Sequence, residues 1–476
     1  MMKIKVVDKP FTEVKKMQGF KYEKPIKQNP VLRWILKTVS GGELKSVNFT
    51  YKKIGMERLA EDEPCLILMN HSAFIDLKIA SSVIYPKQFH IVTTIDGFVG
   101  KNSIMRHAGC IPARKFIADS AMVADILYSL RKLKSSVLMY PEASYSFDGT
   151  QTPLPKRVGK ALKLFNVPVI MIRTYGAFQH DPLYNGLRLR KVDVSAEVRY
   201  LLSPDDIKEK SVQELNDILK ENFTFDNFAW QKDHHICVNE PFRAEGLERV
   251  LYKCPHCMAE GKMVSKGTHI RCSACGAEYE LTEYGDIKEY EDNKEYGDIK
   301  EYGDNKENGD NKENGDITEY GDTGECEGYL KVAADPLSHE SSTEQTPALH
   351  FSSIPDWYLW ERTMVKQELE NKIYHMKTPV RIMVLVNTDA IYHVGDGTLI
   401  HDEHGFRLDG CDGELSYEQS PRVSYSVYAD YFWYEIGDMI CIGTPQMQYY
   451  CFPTDKDVNV AKVRLAAEEM YKLQNA

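Results

Sequence analysis

Apolar positions fall into short unbroken runs in the first half of the chain and into mixed, often alternating runs near its end, with a polar, glycine-punctuated stretch between them. Leu66-Ile67-Leu68-Met69 stops abruptly at Asn70-His71, the pattern of a buried parallel-sheet strand running into a loop. Residues 72–82 then read as a helix. Gly109 to Ala113 is a short apolar step that ends at Arg114 and Lys115. After a helix-like stretch to Leu133, Val137-Leu138-Met139 predicts a second buried strand ending at Tyr140-Pro141-Glu142, and Val167-Pro168-Val169-Ile170 a third. Strands alternating with helices predict an α/β domain, placed here at residues 60–245, and ligands of such sheets sit beyond the carboxyl ends of the strands.

The two ends of the chain follow other patterns. Pro30 to Val39 puts Val31, Ile35 and Val39 on one helical face, with Leu32 and Leu36 beside them, Trp34 at the seam, and Arg33 and Lys37 opposite. That is the distribution of a helix lying in a membrane interface, inside a basic N-terminal segment, residues 1–59. From residue 350 to 476, a helix through Glu370 and Tyr374 precedes β-type runs at 381–386, 390–394, 423–428, 432–436, 439–442 and 448–452. A helix from about Asp457 to Leu473 closes a mostly-β domain. The layout is similar in architecture alone to a pleckstrin-homology-like barrel, and a generic interaction or dimerisation module fits equally well.

Charge sharpens this division. The formal net charge is −11, but residues 278–327 hold nineteen acidic residues against five lysines, a balance of −14 that leaves +3 on the rest. Residues 1–60 carry fourteen Lys and Arg against five acids. The acidic tract contains seven hexads from Glu283 to Gly324 on the theme Glu-Tyr-Gly-Asp-Ile/Asn-Lys. Six is neither a helical nor a strand period and little in the unit can be buried, so residues 283–349 are expected to be a disordered linker. A calcium-binding reading of the repeated acids is opposed by the lysine in most units. No run approaches the roughly 18 apolar residues that span a bilayer, and Met1 to Lys9 lacks the apolar core of a signal peptide. The expected location is the cytoplasm, peripherally on the inner face of the membrane.

Candidate chemistry centres on His71. It sits at a strand end, and Asp76, five residues on and inside the following helix, is placed to fold back and fix the imidazole tautomer, the arrangement of a general base. A histidine and an aspartate merely capping a turn is the alternative. Taken with Arg114-Lys115, with Glu142, and with Lys156-Arg157-Val158-Gly159-Lys160 feeding a helix, Asn70-His71 and Asp76 form an ordered set that resembles the glycerolipid acyltransferase family, the lysophosphatidate (1-acylglycerol-3-phosphate) acyltransferases. The resemblance covers about residues 60–200. It implies that His71 takes the proton of an acceptor hydroxyl attacking an acyl thioester, on acyl-CoA or acyl-ACP, and that Asp76 stabilises the imidazolium.

The same resemblance implies that Arg114 holds an acceptor phosphate, a task for a planar fork of donors. It also places Asn70, Lys115, Glu142 and Ser144, with Lys156 and Arg157, around the substrate. The chain departs from the family pattern in one place: where Glu-Gly-Thr-Arg-Ser is usual, it has Glu142-Ala143-Ser144-Tyr145-Ser146. One charge-assisted contact, worth about 1.5–3 kcal/mol, is thereby missing. The membrane-lipid acceptor is left open between a lysophosphatidate and another hydroxyl- or amine-bearing lipid.

Cysteine spacing adds a second module. Cys254-Pro255-His256-Cys257 and Cys272-Ser273-Ala274-Cys275 are two CxxC pairs fourteen residues apart, with a predicted hairpin turning at Lys266-Gly267 between them. The pattern resembles a zinc ribbon, here residues 246–282, with structural zinc as cofactor; a disulfide pair or redox dithiol is the alternative. The other seven of the eleven cysteines stand singly, in keeping with a reducing compartment. No nucleic-acid partner is expected, because the acidic tract following the ribbon would repel phosphate. A catalytically weakened lipid-binding scaffold, acting through the ribbon and the C-terminal domain, is the competing function.

Overall fold

A computed structural model describes residues 4–117, 119–290 and 350–475, which belong to one compact unit. The boundary expected at residue 59 separates no body. The short N-terminal strand β1 (Val6–Asp8) pairs in parallel with a strand of the C-terminal sheet, Val6 opposite Ile391. Phe11 and Val14 are buried in the same core as Trp357 and Val380. Strand β2 (Thr50–Ile54) instead joins the α/β sheet.

That sheet has seven strands: β2, β3 (Leu66–Met69), β4 (Phe89–Thr94), β5 (Cys110–Ala113), β6 (Ser136–Met139), β7 (Val169–Tyr175) and β8 (Ser195–Leu202), in the order β2-β8-β7-β3-β6-β4-β5. All neighbours run parallel except β7 and β8. β3 lies at the centre, between β7 and β6, and its four residues are at most 1% exposed. A strand buried on both faces has no polar position to alternate, which is why it reads as a continuous apolar run. Its carboxyl end delivers Asn70 and His71 to the loop above the sheet, and the helix Asp76–Ile84 returns beneath it.

The Cys-rich region forms an antiparallel four-stranded sheet of β9 (Met263–Lys266), β10 (His269–Cys272), β11 (Glu278–Leu281) and β12 (Ile287–Glu289). Gly267, at φ +63°, makes the β9–β10 turn. The sheet runs past residue 282 and takes in the first hexad: Ile287 is buried and pairs with Leu281. Residues 283–290 are thus ordered, against the expected linker. One isoleucine placed against the ribbon core outweighs the polar composition of its unit. From Glu291 onward the hexads lie outside the described residues.

The C-terminal sheet comprises β13 (Met376–Leu385), β14 (Ile391–Asp402), β15 (Gly405–Gly410), β16 (Leu415–Gln419), β17 (Tyr428–Trp433), β18 (Gly437–Gly443) and β19 (Gln448–Pro453), in the order β16-β15-β14-β13-β19-β18-β17 with β1 beside β14. β15 and β16 escape the sequence reading because each carries few apolar residues. The expected run at 432–436 is mostly a turn, in which Phe432, Tyr434 and Glu435 have φ of 53°, 46° and 64°. The expected strand at 423–428 is loop until Tyr428. The helix Val460–Gln474 closes the domain and is joined to the helix Ile354–Glu370 by Arg362, which reaches Glu468 and Glu469 at 2.7 and 2.8 Å. The ribbon is tied to both helices: the Lys253 amide donates to Glu361 (2.8 Å), Trp357 Nε1 donates to the Lys253 carbonyl (3.0 Å), and Asn459 donates to the Glu248 carbonyl (3.2 Å).

Candidate active site

The loop after β3 is held by carboxylates, Asp76 foremost. Asp76, fully buried in the first turn of its helix, accepts at Oδ2 from the amides of Ser72 (2.8 Å) and Ala73 (3.0 Å) and faces His71 Nδ1 at 3.3 Å. Thr174 of β7 donates to its Oδ1 at 3.3 Å. Because an ionised carboxylate only accepts, Nδ1 carries the hydrogen and Nε2 keeps its lone pair. Burial holds the imidazole below its ordinary value of 6.5, and the bond to Asp76 pulls it back up. A neutral, oriented imidazole is what a general base requires.

Two tyrosines fix the ring plane. Tyr140 stacks on His71 with centroids 4.0 Å apart and planes at 21°, and Tyr145 lies 4.1 Å away at 39°. Two six-membered rings at that distance cannot share one face of an imidazole, so His71 lies between them. Tyr145, where the expected pattern has an arginine, thus covers one face of the His71 imidazole.

The expected site residues separate into two groups. Asn70, Glu142 and Ser144 are buried supports. Asn70 accepts from the Thr174 amide (2.9 Å) and donates to Ser72 (2.9 Å), pinning β3 to β7. Glu142 spends one oxygen on the His71 amide and the other on the Thr152 amide, each at 2.7 Å. Burial pushes its carboxyl up to about 7. Ser144 is buried and bonds only its neighbour's carbonyl. None of the three lines the cavity described next, so the substrate-contact role expected of them becomes one of positioning.

His71, Arg114, Lys115, Lys156 and Arg157 do line one cavity, of about 1370 Å³. Two helices supply apolar wall, among them Met122 and Val123 of Ser120–Arg131 and Leu162 and Phe165 of Val158–Phe165. Phe74 and Leu77 also line it and are 46% and 37% exposed. The cations differ in availability. Arg114 is paired with Asp119 at 2.8 Å and lies over the Phe20 ring at 4.7 Å. Lys115 sits 4.2 Å above the Tyr428 ring, with Asp430 and Asp96 acting on it and burial lowering its affinity for a proton. Lys156 and Arg157 are exposed.

Several residues at this site carry no signal in the sequence. Asp181 accepts from the Phe74 amide at 3.0 Å, with burial and the neighbouring Asp76 lifting its carboxyl to about 8. Arg464, from the C-terminal helix, donates to Thr152 at 3.1 Å behind Glu142 and lies over Phe147 at 4.2 Å. Tyr145, by contrast, is legible in the sequence as the break in the Glu-Gly-Thr-Arg-Ser pattern.

The four cysteines of the ribbon converge. Their sulfurs lie within 4.8 Å of one another, with Cys254 to Cys275 and Cys257 to Cys272 each at 3.7 Å. A tetrahedron of thiolates about 2.3 Å from zinc has edges of about 3.8 Å, so the donor set fits a four-coordinate ion and leaves no open position for chemistry.

Residues 50–173 match the family model described as Acyltransferase. Comparison with curated proteins gives no match. Among solved structures, the chain is similar to the crystal structure of the 1-acyl-sn-glycerophosphate (LPA) acyltransferase PlsC from Thermotoga maritima, at 15% identity, covering 40% of this chain and 78% of that one, with a TM-score of 0.32. The stretch matched to the acyltransferase model takes in the strand ends that carry His71, Arg114 and Glu142 and the helix that begins at Asp76.

Proposed function

We propose that the protein transfers a fatty acyl group from a CoA or acyl-carrier-protein thioester to a hydroxyl of a glycerolipid. The observation that carries this reading is the free Nε2 of a neutral His71, oriented by Asp76, on the wall of a cavity large enough for a lipid. Nε2 takes the hydroxyl proton as the oxygen attacks the thioester carbonyl. The C–O bond forms, the C–S bond breaks, and the imidazolium returns the proton to the departing thiolate. Asp76 offsets the transient positive charge, and no acyl-enzyme is needed. The apolar helical wall suits the acyl chain, and exposed Lys156 and Arg157 suit the phosphates of the donor. Zinc on the four cysteines is assigned a structural role.

Contact with a membrane surface belongs to the same proposal. The helix Pro30–Ser46 leaves Val31, Trp34 and Val39 60%, 55% and 73% exposed, and it is joined to the helix Asp76–Ile84 by the Glu43–Lys78 pair. Among the described residues no helix is long and apolar enough to cross a membrane. Thioester consumption by the purified protein, run against lysolipids that share a chain and differ in headgroup, tests the activity. Absence of turnover with every acceptor would leave the lipid-binding scaffold instead.

A further inference from the structure

The side of the cavity facing the α/β domain belongs to the C-terminal domain. Residues 423–425 and the strand-and-turn 430–434 line it, together with Tyr428. This wall is fixed in place. Trp433 donates from Nε1 to Asp96 at 3.1 Å, and Tyr431 donates to the Arg249 carbonyl at 2.6 Å. Left-handed backbone at Phe432 and Tyr434, which non-glycine residues seldom adopt, aims their rings. Strain of this kind persists where the surroundings over-determine it, and it gathers at ligand-binding segments.

The polar chemistry on the two walls is uneven. Two of the cations lining the cavity already face acids, Arg114 paired with Asp119 and Lys115 with Asp96 and Asp430 acting on it, while the exposed Lys156 and Arg157 are those assigned above to the phosphates of the donor. The position where the family carries a further arginine holds Tyr145. Hydrogen-bonding capacity, in contrast, is left over. Among the described residues the hydroxyls of Tyr140 and Ser424, on opposite walls, and Nε of Arg114 are buried without partners, and buried polar atoms without partners are uncommon unless something else satisfies them. Aromatic faces, two carboxylates and spare hydroxyls suit a neutral, hydroxyl-bearing group better than a phosphate dianion.

We propose that the C-terminal segment 423–434 is the acceptor-selecting wall of the acyl-transfer site, and that it takes a glycerolipid whose headgroup beside the reacting hydroxyl is uncharged and hydroxyl-bearing. This rests on the acyl-transfer reading for the word acceptor, but its test is a binding measurement. Full-length protein is titrated with 1-oleoylglycerol and with 1-oleoylglycerol 3-phosphate, following the part of the tryptophan fluorescence change that the Trp433→Phe variant loses. The neutral lipid is expected to bind about tenfold more tightly than the phosphate, the size of one charge-assisted contact.

Asp430→Asn, whose amide oxygen can still accept from the Tyr431 amide, frees Lys115 from one of its two acids. It should move the affinity ratio about tenfold toward the phosphate, a change that mere loosening of the wall would not produce. Ser424→Ala, a smaller change, should weaken the neutral lipid alone by severalfold. Tighter binding of the phosphate to the unmodified protein, or an unchanged ratio in both variants, overturns the proposal. Selective binding of the neutral lipid without any thioester turnover sustains it while removing the catalytic reading.

Discussion

On the α/β side of the cavity His71 is held from within one domain: Asp76 reaches back five residues to it and four and three to Ser72 and Ala73, and Tyr140, Glu142 and Tyr145 close on it from the segment after β6. The opposite wall is carried by Tyr425 to Tyr434, roughly 350 residues further along, on a sheet that is itself tied to the ribbon and to the N-terminal strand. The first arrangement is contained within the α/β domain. The second exists only once the whole unit has assembled. The surroundings of His71 are thus gathered within one domain and the facing wall from across the whole unit, and the two can be separated by experiment.

Removing the metal gives the largest separation. Chelation, or Cys272→Ser, withdraws a ligand set worth on the order of 10 kcal/mol in zinc-finger peptides. Hydrogen exchange should then rise first in residues 254–289 and in the helix Ile354–Glu370, which the ribbon holds through Lys253 and Trp357, with β3, β6 and β7 still protected. Simultaneous loss of all three strands would abolish the distinction. His71→Ala does the converse. Acyl transfer should fall by about 10²–10⁴-fold, the usual worth of a general base, with the melting temperature and the Trp433 signal close to those of the parent protein.

A subtler division runs through Glu142. Its alanine variant leaves the His71 and Thr152 amides without their acceptor and should cost about 1–3 kcal/mol in denaturant unfolding. Because burial raises this carboxyl from 4.5 to about 7, the stability it contributes is fully present below pH 4.5 and is lost as pH rises through about 7. Glu142→Gln should lack that slope. The smallest effect is on the rate profile. With the His71 imidazole held below 6.5 by burial, the acid limb of kcat/KM should fall below pH 6.5, and Tyr145→Ala, by admitting water, should move it upward.

The same contrast explains what could be read from the sequence. The strand Leu66–Met69, the His71–Asp76 pair and the four cysteines announce themselves because apolar runs and close spacings report local structure. The supporting role of Glu142 is not readable, because nothing in Tyr-Pro-Glu distinguishes a side chain pointing at substrate from one bonded to two amides. Nor is the C-terminal wall. A turn such as Phe432 to Glu435 looks like a strand to any pattern that counts aromatic and β-branched residues, and its placement over His71 depends on pairings such as Trp433 with Asp96. The first hexad shows the opposite failure. Composition predicted disorder, and a single buried isoleucine at position 287 prevailed.

Clamped between two phenol rings, the His71 imidazole has no room to flip, so the nitrogen that collects a proton is the nitrogen that must hand it on, and in the same direction. With Nδ1 committed to Asp76, the proton has no exit through the back of the site to bulk water. On the proposed acyl transfer this makes a closed proton circuit, in which a leaving group that cannot accept a proton would stall the turnover.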